Sequence, residues 1–284
     1  MRRGIAAACV VLLLTGCETT DDDPALAAAS EAAKARQVVP TTVPSTAPPA
    51  KVTAPPQPVE LTKNPIYRVG KLTAHCPEPK YEPTTVANIR AYYVESVRCL
   101  NAAWAPAIRK AGFEFTAPKL DVVAGRSPDL PCDGDAYGLY CGGTIYINAQ
   151  VDLDDFRDDP TEATKWMAFV IGHEYGHHVQ ALTGIEQVRY ERGLKLNGVE
   201  VALEESRRSE LQADCFAGVY YGANRAFTRA AAWPMFFEHM AESTSDPDYD
   251  HGSAKNQGSW SHRGFTTADP AACNTYVASS DQVS

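Results

Sequence analysis

Positive charge is scarce in this chain and nowhere gathered. Its 26 lysines and arginines face 35 aspartates and glutamates, a net charge of −9, and no basic run follows the arginine pair at residues 2–3. A nucleic-acid partner needs a basic face, so none is expected. No apolar run reaches the roughly 20 residues that span a bilayer as a helix. No two cysteines stand in C-x-x-C spacing, which removes the usual thiolate zinc site. Histidine is sparse as well, with seven in 284 residues, and no internal repeat is visible. A hydrophobic content of 44% is ordinary for a globular protein and is enough for one packed core.

What is present begins with "MRRGIAAACVVLLLTGC". Two arginines, a short apolar stretch and small residues before a cysteine form a secretory signal. Its end, "LTGC", resembles a bacterial lipobox, which predicts cleavage before Cys17 and lipid on that cysteine. Residues 1–16 are then the signal. Residues 17–60, including "VVPTTVPSTAPPAKVTAPPQPVE", lack apolar periodicity and read as a proline-rich tether. Extended, some 40 such residues reach on the order of 100 Å. The expected place is the outer face of a cell membrane, held there by the N-terminal lipid. Setting Cys9 and Cys17 aside leaves six cysteines, an even number that suits three disulfides in an exported domain. Cys132 and Cys141 flank a short loop and are natural partners; Cys76 with Cys99 and Cys215 with Cys273 follow by elimination and order.

Residues 61–284 read as one α+β domain, mainly helical with a small mixed sheet. Val86, Ile89, Tyr93, Val97, Leu100 and Trp104 recur at helical spacing, which predicts a long helix ending near Gly112 and bent at Pro106. The segments at 113–125 and 143–148 are β-branched and aromatic between Gly and Pro, as in strands. "DPTEATKWMAFVIGHEYGHHVQALTG" carries helix punctuation: Asp159 as N-cap, Pro160 at the first position, Glu162 three after the cap, Gly184 past the end. Further helices are expected at about 200–222 and 228–242.

The central helix carries "HEYGHHVQ". Residues four apart share a helix face, so His173 and His177 can reach one ion, while Glu174 is turned about 100° away and can meet a water without binding the metal. This is the H-E-x-x-H arrangement of two zinc ligands and a general base. The alternative, a polar surface face, conflicts with the apolar "WMAFVIG" before it. His178 points to another face and reads as packing or as a support behind the ligands. Catalytic zinc keeps three protein ligands, and the strongest candidate for the third is Glu210 in "ELQADC". One turn on, Asp214 can accept the free ring N–H of a ligand histidine.

"HEYGHHVQALTG", "ELQADCFAGVYYG", "HGSAKNQGSWSHRGFTTADPAACNTYV" and "LPCDGDAYGLYCGGTIYIN", in a region from about 76 to 277, resemble the bacterial neutral zinc metallopeptidase family, a gluzincin branch with a thermolysin-like site. The resemblance implies a zincin-like fold, Zn2+ on His173, His177 and Glu210, and Glu174 as base for hydrolysis of a peptide or protein substrate. It also places a histidine at His251, which would stabilise the oxyanion; Tyr175, Tyr220, His262 and Arg263 are alternatives. A zincin substrate lies along the sheet edge nearest the active helix, and "GTIYIN" is the segment expected there. Two other functions share these features: a non-catalytic zinc-containing envelope lipoprotein that binds or scaffolds, and a hydrolase of non-protein amides such as cell-wall peptide. The intact Glu174 argues against the first, because a structural site does not need it.

Overall fold

In the computed structural model, residues 54–130, 132, 137–224, 226, 232–242 and 250–284 are described. The signal, Cys17 and residues 17–53 of the tether lie outside them. Among the described residues the regular elements in chain order are α1 (Val59–Thr62), a 3-10 turn (Pro65–Arg68), α2 (Val86–Lys110), β1 (Lys119–Val123), β2 (Gly138–Cys141), β3 (Thr144–Asn148), α3 (Ala149–Asp158), α4 (Pro160–Leu182), α5 (Ile185–Gly193), α6 (Val199–Ala223), α7 (Trp233–Glu242) and α8 (Ala254–Thr267), followed by three more 3-10 turns. The fold is α+β, with helices dominating, as expected. Among the described residues, no helix is long and apolar enough to cross a membrane.

Local chemistry sets the two helices that frame the interior. Thr85 accepts from the Asn88 amide to start α2, and its buried positions Ile89, Tyr93, Val97, Leu100 and Trp104 fall on one face. Asp159 accepts from the amides of Thr161 and Glu162 to start α4, with Pro160 first in the helix. Gly184, at φ 75°, closes α4 and turns the chain straight into α5, a helix the periodicity does not predict. In the packed interior, α4 and α6 meet backbone to backbone. A methyl group added at Gly176 would lie 2.8 Å from the α-carbon of Ala213, and one at Gly172 would lie 3.1 Å from the Ala217 β-carbon. At Gly176 the added group would meet backbone, so only glycine permits the approach there.

The sheet corrects two expectations. Its order is β1-β3-β2, with β1 parallel and β2 antiparallel to β3. The "GTIYIN" strand is therefore central, because the tight turn at Gly142 and Gly143, both at positive φ, folds "GLYC" back beside it as the edge. The strand expected at 113–125 is shorter, 119–123: the Phe113 amide still closes α2 by donating to Ile108, and Pro118 has no N–H for a ladder.

The packed region also extends into residues that composition assigns to the tether. Arg192 donates to the carbonyls of Pro55 and Pro56, Gln57 donates to Glu205, and Arg192 pairs with Glu205 at 3.0 Å. Leu61 is buried behind this strap, and Asn64 donates to the Thr183 carbonyl at the end of α4. The six cysteines lie as three disulfides, Cys76–Cys99, Cys132–Cys141 and Cys215–Cys273, with Cα separations of 5.9, 6.3 and 5.5 Å.

Candidate metal centre

Helix α4 places His173 and His177 one turn apart, and the glycine contact with α6 brings Glu210 up to them. The Nε2 atoms of His173 and His177 are 3.1 Å apart, and Glu210 Oε2 lies 3.3 Å from the first and 3.0 Å from the second. Three ligand atoms thus form a triangle of nearly equal sides. For a tetrahedral ion with bonds of about 2.0–2.1 Å, neighbouring ligands stand about 3.3 Å apart, so the triangle has the size of one zinc face.

The outer partners fix which atoms face inward. His173 Nδ1 is 2.7 Å from Asp214 Oδ1, a carboxylate that can only accept. His177 Nδ1 is 2.9 Å from Gln180 Oε1, and the Gln180 amide nitrogen is already donating to Ser209 O and Gln212 Oε1, so that oxygen accepts too. Both neutral rings therefore carry their proton on Nδ1 and turn an Nε2 lone pair toward the other and toward a carboxylate. Only a cation or added protons relieve that arrangement, and a zinc ion suits the donors. The titration preferences agree. Burial works to lower the pKa of His173 and His177, yet the Asp214 and Glu210 hydrogen bonds on His173, and the Glu210 charge beside His177, raise both. Burial works to raise Glu210, and the histidines hold it well below the usual carboxylate range.

Glu174 is buried at 6% exposure, and desolvation lifts its pKa despite the neighbouring histidines. It faces the start of β2: a methyl group at Gly138 would come within 3.0 Å of Glu174 Oε1. The edge strand thus passes directly over the candidate base.

His251 also reaches the cluster from the loop before α8. Its ring stacks on His173 with centroids 6.2 Å apart, its Nε2 is 3.5 Å from Glu210 Oε2, and its side chain is 42% exposed. His173, Glu210 and His251 each offer a ligand atom within 4.8 Å of the others. Asp250, not singled out from the sequence, holds the Nδ1 of His251 at 2.8 Å. Gln180 escapes the sequence reading as well, although its spacing of three from His177 on a helix is the available signal. Two of the alternatives to His251 are engaged elsewhere: Tyr175 donates to Asn101, and the Tyr220 hydroxyl accepts from Asn224. Arg263 lies over the Trp260 ring. His178 takes no place at the cluster. Its Nε2 donates to Thr116 O at 2.8 Å, which leaves Nδ1 to accept from Tyr140 in β2, so it joins α4 to the edge strand.

Comparison with known proteins gives one consistent neighbourhood. The model of the family described as "Putative neutral zinc metallopeptidase" matches residues 91–235, just over half the chain. A protein of Escherichia coli K12, "Uncharacterized protein YpfJ", is 33% identical over 193 residues, 61% of this chain and 66% of its own length. The match therefore spans a little under two thirds of that relative. "Uncharacterized protein Mb2605" of Mycobacterium bovis is 30% identical over 222 residues, 67% of this chain and 71% of its own, and "Uncharacterized protein Rv2575" of Mycobacterium tuberculosis matches to the same extent. No solved structure matches the chain.

Proposed function

Because the chain belongs to the "Putative neutral zinc metallopeptidase" family, we propose that it is a zinc-dependent peptidase acting on extended peptide segments outside the cytoplasm. The observation that carries this reading is the triangle of His173 Nε2, His177 Nε2 and Glu210 Oε2, with both opposite ring nitrogens engaged by Asp214 and Gln180. Those three side chains would hold the ion; when bound, zinc supplies Lewis acidity to a carbonyl oxygen and makes water more acidic.

The protein's own groups do the rest. Glu174, buried and with its pKa raised by desolvation, accepts a proton from the attacking water and later returns it to the leaving amine. Asp214 and Gln180 hold the two imidazoles in one tautomer. His251, its Nδ1 held by Asp250 on the open side, turns Nε2 toward the reacting carbonyl and, with a proton on both ring nitrogens, donates from Nε2 to the developing oxyanion. The edge strand β2 receives the substrate as an added strand, whose backbone pairing gives affinity with loose side-chain preference. Lipid on Cys17 anchors the enzyme, and the three disulfides are consistent with an oxidising compartment.

The test compares the purified protein with Glu174→Gln for zinc content and for hydrolysis of an unfolded protein. The expected result is equal zinc and loss of hydrolysis in the variant. Equal activity in both would remove Glu174 from the mechanism, and a zinc-loaded but inactive wild type would favour the binding or scaffolding role.

A further inference from the structure

His251 lies outside the two helices that carry the rest of the cluster, so its position depends on other contacts. Gly252, at φ 84°, rests against the neighbour of Glu210: a methyl there would come 3.2 Å from Leu211 Cδ1. Its carbonyl accepts from Gln257 Nε2 at 2.9 Å. The next amide, Ser253 N, donates to Ser284 O at 2.9 Å, and Asn256 Nδ2 donates to that same oxygen at 2.8 Å. Trp260 Nε1 donates to Gln282 O at 2.8 Å. Between these, Val283 is fully buried, and its carbonyl accepts from Arg207 Nε at 2.9 Å. Arg207 lies on α6, three residues before Glu210.

We infer that residues 282–284 are positioning residues for His251: a bracket fastened to α6 through Arg207 and, through Ser253 and through Asn256 in the first turn of α8, to the segment that carries His251. The kinetic part of this inference rests on the reading of His251 as an active-site group; the mechanical part does not. The bracket reaches the loop and α6 but leaves the α4–α6 contact untouched, and that contact spaces the three ligands. It therefore sets where the oxyanion donor stands without setting how tightly the metal is held. Displacing such a donor by about 1 Å can cost on the order of a hundredfold in rate, so partial loosening should be visible.

Asn256→Ala removes the side-chain bonds to Ser284 O and Asp281 O from a residue that is only half-buried, and Arg207→Gln cuts the other attachment. Both would be made in the whole protein, alone and on a His251→Ala background, and read by amide exchange across residues 250–256, zinc affinity, and kcat against KM. The expected result is faster exchange at Ser253, zinc affinity within about twofold of wild type, kcat about tenfold lower with KM less changed, and no further loss on the His251→Ala background. Unchanged exchange would overturn the bracket itself. An additive loss on the His251→Ala background, or zinc affinity falling with activity, would overturn its action through His251. Should His251→Ala alone leave kcat unchanged, the oxyanion role and the kinetic part fall together, and exchange still decides the mechanical part.

Discussion

Asp152 allows a prediction whose sign and size both follow from its surroundings. Its carboxylate is fully buried on α3, where Oδ1 accepts from the Tyr93 and Tyr137 hydroxyls. Burial pushes its pKa up from 3.8 to about 7; the two tyrosine bonds oppose this and the nearby Asp155 adds to it. An acid raised in the fold makes stability fall with pH. Between about pH 4 and 7 the unfolded chain has released the proton while the folded protein keeps it, and each pH unit costs about 1.4 kcal/mol. Below that window nothing is lost, and above it the loss levels off near 4 kcal/mol. The amide introduced by Asp152→Asn cannot ionise but can still accept both hydroxyls. The stability of Asp152→Asn relative to wild type should therefore rise by about 2.5 kcal/mol between pH 5 and pH 8. Urea unfolding of both metal-free proteins, disulfides intact, at a series of pH values measures this; the constant cost of the amide cancels in the difference. A difference that stays flat across the series would show that Asp152 does not hold its proton in the fold. Tyr137 directly precedes Gly138, so this carboxylate also underlies the edge strand beside Glu174.

Two further outcomes concern the metal centre. Glu210→Ala should lower zinc affinity by orders of magnitude, whereas Glu200→Ala on the same helix, an exposed residue, should leave it unchanged; equal affinities in isothermal titration would remove Glu210 from the ligand set. Glu205 is unsuitable as the control because it is buried against Arg192. Gly176→Ala should cost about 1–3 kcal/mol, since the added methyl meets the Ala213 backbone, and should weaken zinc binding by parting α4 from α6. Denaturation and zinc titration that both match wild type would contradict the tight contact.

The parts legible in the sequence are those written in local code. The Asp159 cap, Pro160 and the four-residue histidine spacing are short-range signals, and α4 with its inward histidines follows from them. Glu210 and Asp214 are reachable because one helical turn separates them on an apolar stretch, and the structure brings both to the histidines. Strand β2 is not legible as an edge: four residues between a disulfide loop and two glycines gain strand geometry only by pairing with β3. Helix α8 escapes because Gly258 and Gly264 are poor helix formers; they are there for the packing, with Gly264 against the Cys215 carbonyl and Gly258 against that of Phe237. The His251 loop carries no periodicity at all, and its place depends on Arg207 and residue 284, contacts far along the chain. The strap at residues 55–58 is hidden by its prolines, which read as linker yet present carbonyls to Arg192.

The glycine contact between α4 and α6 also bears on which ion fits. With two backbones touching at Gly176 and Ala213, the gap between the histidine pair and Glu210 cannot widen without separating the helices. Calcium, which takes six to eight oxygen ligands at about 2.3–2.6 Å, would need a larger and more oxygen-rich shell than this gap and its two nitrogens allow. Magnesium, at about 2.0–2.1 Å, would fit by size but is a poor match for imidazole. Selection thus begins in the backbone, where a missing side chain limits the radius, and is completed by the ligand atoms.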